Sequence, residues 1–210
     1  MNPEEFIRAN SALMAAPLVP ELKLHLATEI VPLWRKTEEE LSEMGVPPPY
    51  WAFAWAGGQA LARYVLDNPA LVAGKRVLDF GAGSGIVALA AARAGAAEIL
   101  AADIDKFSIA AINANAKANG LTVATTAEDM IGGGEAFDVI LVGDMCYERP
   151  LAERLMAWLK ASAAQILLGD PGRSYFPKEG LVRLAQYNVA TTRELEDREI
   201  RETGVWQLVK

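Results

Sequence analysis

The sequence holds one cysteine, Cys146, and one histidine, His25, among its 210 residues. A single thiol excludes a disulfide within the chain, so nothing calls for an oxidising compartment. A single histidine leaves no His/Cys/Asp cluster with metal-ligand spacing, so no metal is expected, and no Ser-His or Cys-His pair for nucleophilic catalysis. His25 lies in the alternating run Leu22-Lys23-Leu24-His25-Leu26 and reads as a structural or edge residue. Cys146 reads as a small buried filler. Long apolar runs are also missing: none approaches the roughly 20 residues that a spanning helix needs. The opening residues Met1 to Phe6 carry acids in place of a basic, then apolar, signal. The expectation is a cytoplasmic protein with no membrane partner. Positive charge is short too, with 20 Lys and Arg against 27 Asp and Glu and a net charge of −7. Such a chain is a poor general binder of phosphate backbones, so no nucleic-acid partner is expected. Apolar residues, by contrast, make up 52%, enough for the core of one α/β domain.

The cluster Pro47-Pro48-Pro49 divides the chain. An N-terminal extension is expected over 1–49 and the main domain over 50–210. The extension predicts a helix over 3–13, a half-buried strand at 22–26 and a short acidic helix at 37–44, and is the expected place of acceptor recognition. In Tyr50-Trp51-Ala52-Phe53-Ala54-Trp55, the residues Trp51, Phe53 and Trp55 fall two apart. An extended backbone would point them to one side. A helix over 59–66 follows. Strands are predicted at 76–80, 98–103, 121–126, 137–144 and 165–170, with helices at 86–94, 106–119 and 150–161. Several strands are continuous apolar runs, as parallel strands covered on both faces require. The tail, 188–210, predicts two extended segments with a turn near Glu196-Asp197 or Thr203-Gly204, forming an antiparallel edge hairpin. The fold class is therefore α/β: a Rossmann-like, doubly wound, mostly parallel sheet that holds its ligand beyond the strand ends.

One such strand end is Asp79-Phe80-Gly81-Ala82-Gly83-Ser84-Gly85, opening a helix. Glycines there permit positive φ and close backbone approach. Dinucleotide-binding loops read Gly-x-Gly-x-x-Gly, but Ile86 stands where their last glycine belongs, which speaks against a nicotinamide-dependent oxidoreductase. Gly-x-Gly-x-Gly with a preceding acid resembles the loop of class I methyltransferases, whose donor is S-adenosylmethionine. Asp79 would suit that donor's ammonium group and would repel a pyrophosphate. Asp103 ends the next strand, at a distance where a carboxylate meets ribose hydroxyls in nucleotide folds. Asp105 reads as a helix N-cap. After the third strand, Asp129 is a candidate acceptor for the adenine amino group, and Met130 offers backbone contact and an apolar surface.

After the fourth strand, Asp144-x-x-Tyr147 resembles the acidic-x-x-aromatic motif of seven-strand protein lysine methyltransferases. Together with Tyr50-Trp51-Ala52-Phe53-Ala54-Trp55-Ala56-Gly57-Gly58, the glycine loop and Gly169-Asp170-Pro171-Gly172-Arg173, it makes the chain resemble the electron transfer flavoprotein β-subunit lysine methyltransferases and their bacterial homologues. The resemblance spans roughly 24–173. It implies a seven-stranded sheet, S-adenosylmethionine as cofactor, and electron transfer flavoprotein β subunit as protein substrate. It also implies that Trp55 packs beside the methionine end of the cofactor, and that Asp144 and Tyr147 are catalytic residues shaping a lysine channel, with Asp144 at the cofactor as well. One departure is Ala56, where the family often carries Pro. Alternatives left open are another acceptor, such as a ribosomal protein lysine or a small amine, and a non-catalytic module that keeps the pocket. Arg173 is open between an acid on the partner and Asp170.

Overall fold

Where every residue of a strand is apolar, both of its faces must find cover. Val139-Ile140-Leu141-Val142 does this by splitting. Val139 and Leu141 join one buried core with Val77, Ala101 and Leu167. Ile140 and Val142 join another with Leu78, Phe80 and Leu168. The computed structural model describes residues 2–27, 47–191 and 199–209. It builds from such strands a seven-stranded sheet. In chain order these are β3 (Arg76–Phe80), β4 (Glu98–Ala102), β5 (Ala124–Thr126), β6 (Val139–Gly143), β7 (Gln165–Asp170), β8 (Leu181–Ala190) and β9 (Ile200–Leu208). Before them, β1 (Ala12–Ala16) and β2 (Val19–Leu26) pair as a separate antiparallel hairpin.

The helices are α1 (Pro3–Ala9), α2 (Ala56–Asp67), α3 (Ile86–Arg93), α4 (Lys106–Asn119) and α5 (Arg149–Ala161). The sheet order is β5-β4-β3-β6-β7-β9-β8. Strands β3 to β7 pair in parallel, and β9 runs antiparallel between β7 and β8. The order turns back between β3 and β6, which opens a crevice beyond their C-terminal ends. No described helix is long and apolar enough to cross a membrane.

Several boundaries differ from the expectations, each for a local reason. The first helix stops at Ala9 because Asn10 closes it, donating its backbone N–H to Phe6 and Ile7 carbonyls; residues to 13 then enter β1. Tyr50–Ala52 is a 3-10 turn, so Trp51 and Phe53 are not a one-sided extended ladder. Both are buried with Phe6, Ile7 and Phe107, while Trp55 packs against that cluster. The third strand is short, Ala124–Thr126. Strand β8 begins at Leu181, before the expected tail hairpin, and Gly204 is paired inside β9 with Asp170 and Gln186 rather than turning the chain. The acidic helix expected at 37–44 and the turn near 196–197 lie outside the described residues. Leu22, Leu24 and Leu26 of the extension join the main core, so the packing does not break at residue 49.

The largest difference is in α2, which begins at Ala56 and so takes Gly57 and Gly58 inside the helix. Glycine weakens a helix interior, yet here its missing Cβ is needed. A methyl group on Gly57 would strike the Gly169 carbonyl and the Asp144 carboxylate. One on Gly169 would strike the Gly57 carbonyl, and one on Gly143 would come within 3.1 Å of Gly58. The helix therefore lies with its backbone directly on the ends of β6 and β7. We expect Gly57→Ala to lower unfolding free energy by about 1–3 kcal/mol through overpacking. Gly134→Ala, with open space around it, should stay within about 0.5 kcal/mol. Urea titration of both variants checks this, and equal midpoints would refute the close-packing account.

Candidate active site

The loop after β3 turns on glycines held at φ 68° for Gly81, 51° for Gly83 and 77° for Gly85, where a side chain is strained. They serve different ends. Gly81 and Gly83 border a cleft of about 690 Å³. Gly85 caps α3, and a Cβ on it would come 3.0 Å from Ile112 of α4, so its smallness serves helix packing rather than the cleft wall. Asp79 is likewise set back. It is 1% exposed, and Oδ2 accepts from the backbone N–H of Ala88 at 2.8 Å, one of the donors a helix start leaves unpaired. Asp79, expected from the sequence to suit a ligand ammonium, here fixes α3 beneath the loop and does not border the cleft. Burial pushes its pKa up from 3.8 to about 7.

At the end of β4, Asp103 lines the cleft. Its Oδ2 accepts from Gly83 N–H at 2.8 Å and its Oδ1 from Asp105 N–H at 2.9 Å. The same carboxylate therefore shapes the glycine loop and faces the crevice. Burial raises its pKa against those bonds. Asp105 accepts from Phe107 N–H at 2.9 Å, the N-cap of α4. After β5, Asp129 lines the cleft with Oδ2 paired to Arg154 at 2.9 Å. The Ile131 N–H, then Arg154, hold its pKa below the usual value. Met130 is 7% exposed and sits in the core beside Phe80 and Leu155, so its side chain is not a cleft surface. Burial around it answers the apolar demand of that core.

The opposite wall follows β6. Asp144 has φ 60°, the one non-glycine residue with positive φ among the described residues, a conformation that needs support from its surroundings. Support comes from both sides. Asp144 Oδ2 accepts from the Gly58 N–H at 2.9 Å, and its own N–H donates to the Gly169 carbonyl at 3.0 Å. Oδ1 accepts from Arg173 Nη2 at 2.7 Å and Nε at 3.1 Å, so Arg173 has its acid within the chain. The backbone N–H of Arg173 and of Gly172 each donate to Asp170 Oδ1 at 2.7 Å. Burial pushes the Asp170 carboxyl up to about 7. The Arg173 guanidinium also stands 5.5 Å over the Trp55 ring.

Tyr147 lies 5.8 Å from the Tyr50 ring, and Tyr50 lies 6.1 Å from Trp55, whose Nε1 donates to the Tyr50 carbonyl at 3.0 Å. Burial, then the neighbouring Tyr50 and acids, push Tyr147 to about 12, which keeps it a neutral phenol. Cys146 is 1% exposed, and burial pushes its thiol up to about 12. Of the residues singled out from the sequence, Trp55, Gly81, Gly83, Asp103, Asp129, Asp144 and Tyr147 line one cleft, while Asp79, Gly85 and Met130 do not. Sequence reasoning missed Tyr50 and Met145 as walls, Gly58 as a donor and Arg173 as the partner of Asp144. The Gly-Asp-Pro-Gly-Arg motif was the available signal for the last of these.

A parallel sheet with one antiparallel insertion, a Gly-x-Gly-x-Gly turn after its first central strand and an acid at the end of the next define a class I methyltransferase. A family model for ribosomal protein L11 methyltransferase (PrmA) matches residues 59–164. The ribosomal protein L11 methylase of Lactobacillus delbrueckii subsp. bulgaricus shares the fold, with TM-score 0.53 and 23% identity over 73% of this chain and 78% of that one. The electron transfer flavoprotein beta subunit lysine methyltransferase of Xenopus laevis is 38% identical over 97% of this chain and 86% of its own. The Mus musculus protein of that name is 39% identical over 90% and 77%. The chain belongs to the electron transfer flavoprotein beta subunit lysine methyltransferase family.

Asp79 and Asp170 give the fold a signed pH dependence. Each carboxyl titrates near 7 when folded, above its ordinary value of 3.8. The folded state then holds the extra protons, so this stability is full below about pH 4 and is lost as pH rises through about 7. In Asp79→Asn that loss should shrink, so the variant gains stability relative to the unaltered chain as pH rises from about 4 to about 7. Parallel denaturation curves across that range would refute the buried-acid account.

Proposed function

We propose that this chain transfers a methyl group from S-adenosylmethionine to a lysine of the electron transfer flavoprotein β subunit. The observation that carries the reading is the continuity of the cleft: Gly81, Gly83 and Asp103 border the same space as Asp144, Tyr147 and Tyr50. The residues present fit the donor. A volume of about 690 Å³ suits a nucleoside-sized ligand. A Cβ on Gly83 would stand 3.7 Å from the Tyr50 carbonyl, so bare backbone borders the space there. Asp103 suits ribose hydroxyls, Asp129 the adenine end, and Trp55 the methionine end. When bound, S-adenosylmethionine supplies a methyl group on a cationic sulfur, open to in-line displacement by an amine.

The chain's own residues must bring that amine in, aligned and neutral. Lysine has an ordinary pKa of about 10.4, so shedding its proton near pH 7.4 costs about 4 kcal/mol. Trp55, Tyr50 and Tyr147 strip water from it, which favours the neutral form, and hold it in line. Asp144 orients the lysine nitrogen. With both oxygens already accepting hydrogen bonds, Asp144 is not a strong general base, and the proton leaves to water. Pro47 and Pro48 also line the cleft, which supports an acceptor surface built from the extension and the loops after Asp144 and Asp170.

A ribosomal acceptor has weaker support. The L11 methyltransferase model covers 59–164, which holds the donor side but neither Tyr50 and Trp55 nor Arg173. Incubation with labelled S-adenosylmethionine and purified electron transfer flavoprotein should label a lysine of its β subunit, read by mass spectrometry. Label entering L11 alone would overturn the acceptor. Asp144→Asn should slow methyl transfer by about a hundredfold or more through lost alignment, while cofactor affinity by calorimetry stays within about threefold. A fully active variant would remove Asp144 from the machinery.

A further inference from the structure

A carboxylate beside an incoming ammonium has an awkward effect. It attracts the cation, but it also raises the cation's pKa and keeps the nitrogen protonated. The cleft carries the remedy at Asp144. The Arg173 fork grips Oδ1 at 2.7 and 3.1 Å, and the two side chains are only 18% and 10% exposed, where charges are weakly screened. The grip is built rather than incidental. Asp170 holds the Arg173 backbone at 2.7 Å, and the Trp55 ring backs the guanidinium. A guanidinium keeps its charge throughout the working pH range.

We propose that Arg173 is a positioning residue that neutralises Asp144, so that the bound acceptor lysine loses its proton near neutral pH; this rests on the lysine-methylating reading above. The proton passes to water, and the lone pair stays on the lysine nitrogen. The other charges facing the cleft are arranged differently. Beyond β4, Asp103 is bound to loop N–H groups and Asp105 caps α4; beyond β5, Asp129 is paired with Arg154. Lys106 and Glu128 line the side beyond β4 and β5. Tyr147 stays a phenol, and Asp170 is turned to the backbone under Arg173.

The test is the pH profile of kcat, which reports groups in the enzyme–substrate complex, whereas kcat/KM reports the free species. With electron transfer flavoprotein as acceptor, Arg173→Gln should move the acidic limb of kcat upward by about one pH unit or more. The loss is then about tenfold at pH 7 and small above about pH 9.5. Arg173→Lys should keep most of the normal profile. A second readout needs no turnover. Calorimetry of acceptor binding near pH 8, in buffers of different ionisation heat, counts the protons released, and Arg173→Gln should release fewer. A fall in kcat equal at every pH, or a loss confined to cofactor affinity, overturns this inference alone. No methylation of the flavoprotein by the unaltered chain overturns the function proposed above, and this inference with it.

Discussion

The site depends on backbone lying against backbone where α2 crosses the ends of β6 and β7. Gly57, Gly143 and Gly169 leave no room for a methyl group between them. That closeness brings the Gly58 N–H to Asp144 Oδ2 at 2.9 Å and so holds a left-handed residue at the strand end. Each link needs the others. A helix one ångström further out would leave Asp144 without its support, and a relaxed Asp144 would no longer meet Arg173. The cost of two glycines in a helix is offset by the geometry they make possible.

Much of this architecture is legible because its causes are local. The apolar runs of β3, β6 and β7, the N-cap at Asp105 and the glycine-rich turn each act within a few residues, and the elements follow. One wall of the cleft is legible for the same reason, since Gly81, Gly83 and Asp103 sit just past strand ends. What escapes the sequence is what depends on partners far along the chain. Asp79 reads as facing a ligand because it adjoins the loop, yet its carboxylate finds Ala88 across the turn. Met130 follows a strand end, but the core beneath it takes the side chain. Arg173 meets an acid 29 residues away, and no periodicity encodes that. Gly57-Gly58 looks like a break before a helix until Gly169 is seen lying against it.

The electrostatics of the cleft follow the same division of labour. On the wall beyond β4, Asp103 and Asp105 are held by backbone N–H groups, which fix their direction without cancelling their charge, while Asp129 beyond β5 is paired with Arg154. On the wall beyond β6, Asp144 is held by one N–H and one guanidinium, which fixes direction and cancels charge together. The aromatic rings of Tyr50, Trp55 and Tyr147 add apolar surface without a further ionised group. The two walls thus present different chemistry to one shared space, and the strand-order reversal between β3 and β6 is what sets them face to face.

Strand β9 follows β8 in the chain yet lies between β7 and β8, and its Gly204 pairs with Asp170. On the ribosome, β7 must wait with one margin bare until β9 arrives, since no earlier described strand borders it there. The turn that carries Arg173 springs from that same margin. Closure of the sheet beside Arg173 therefore waits on β9, and the waiting margin is where a holdase would have most to shield.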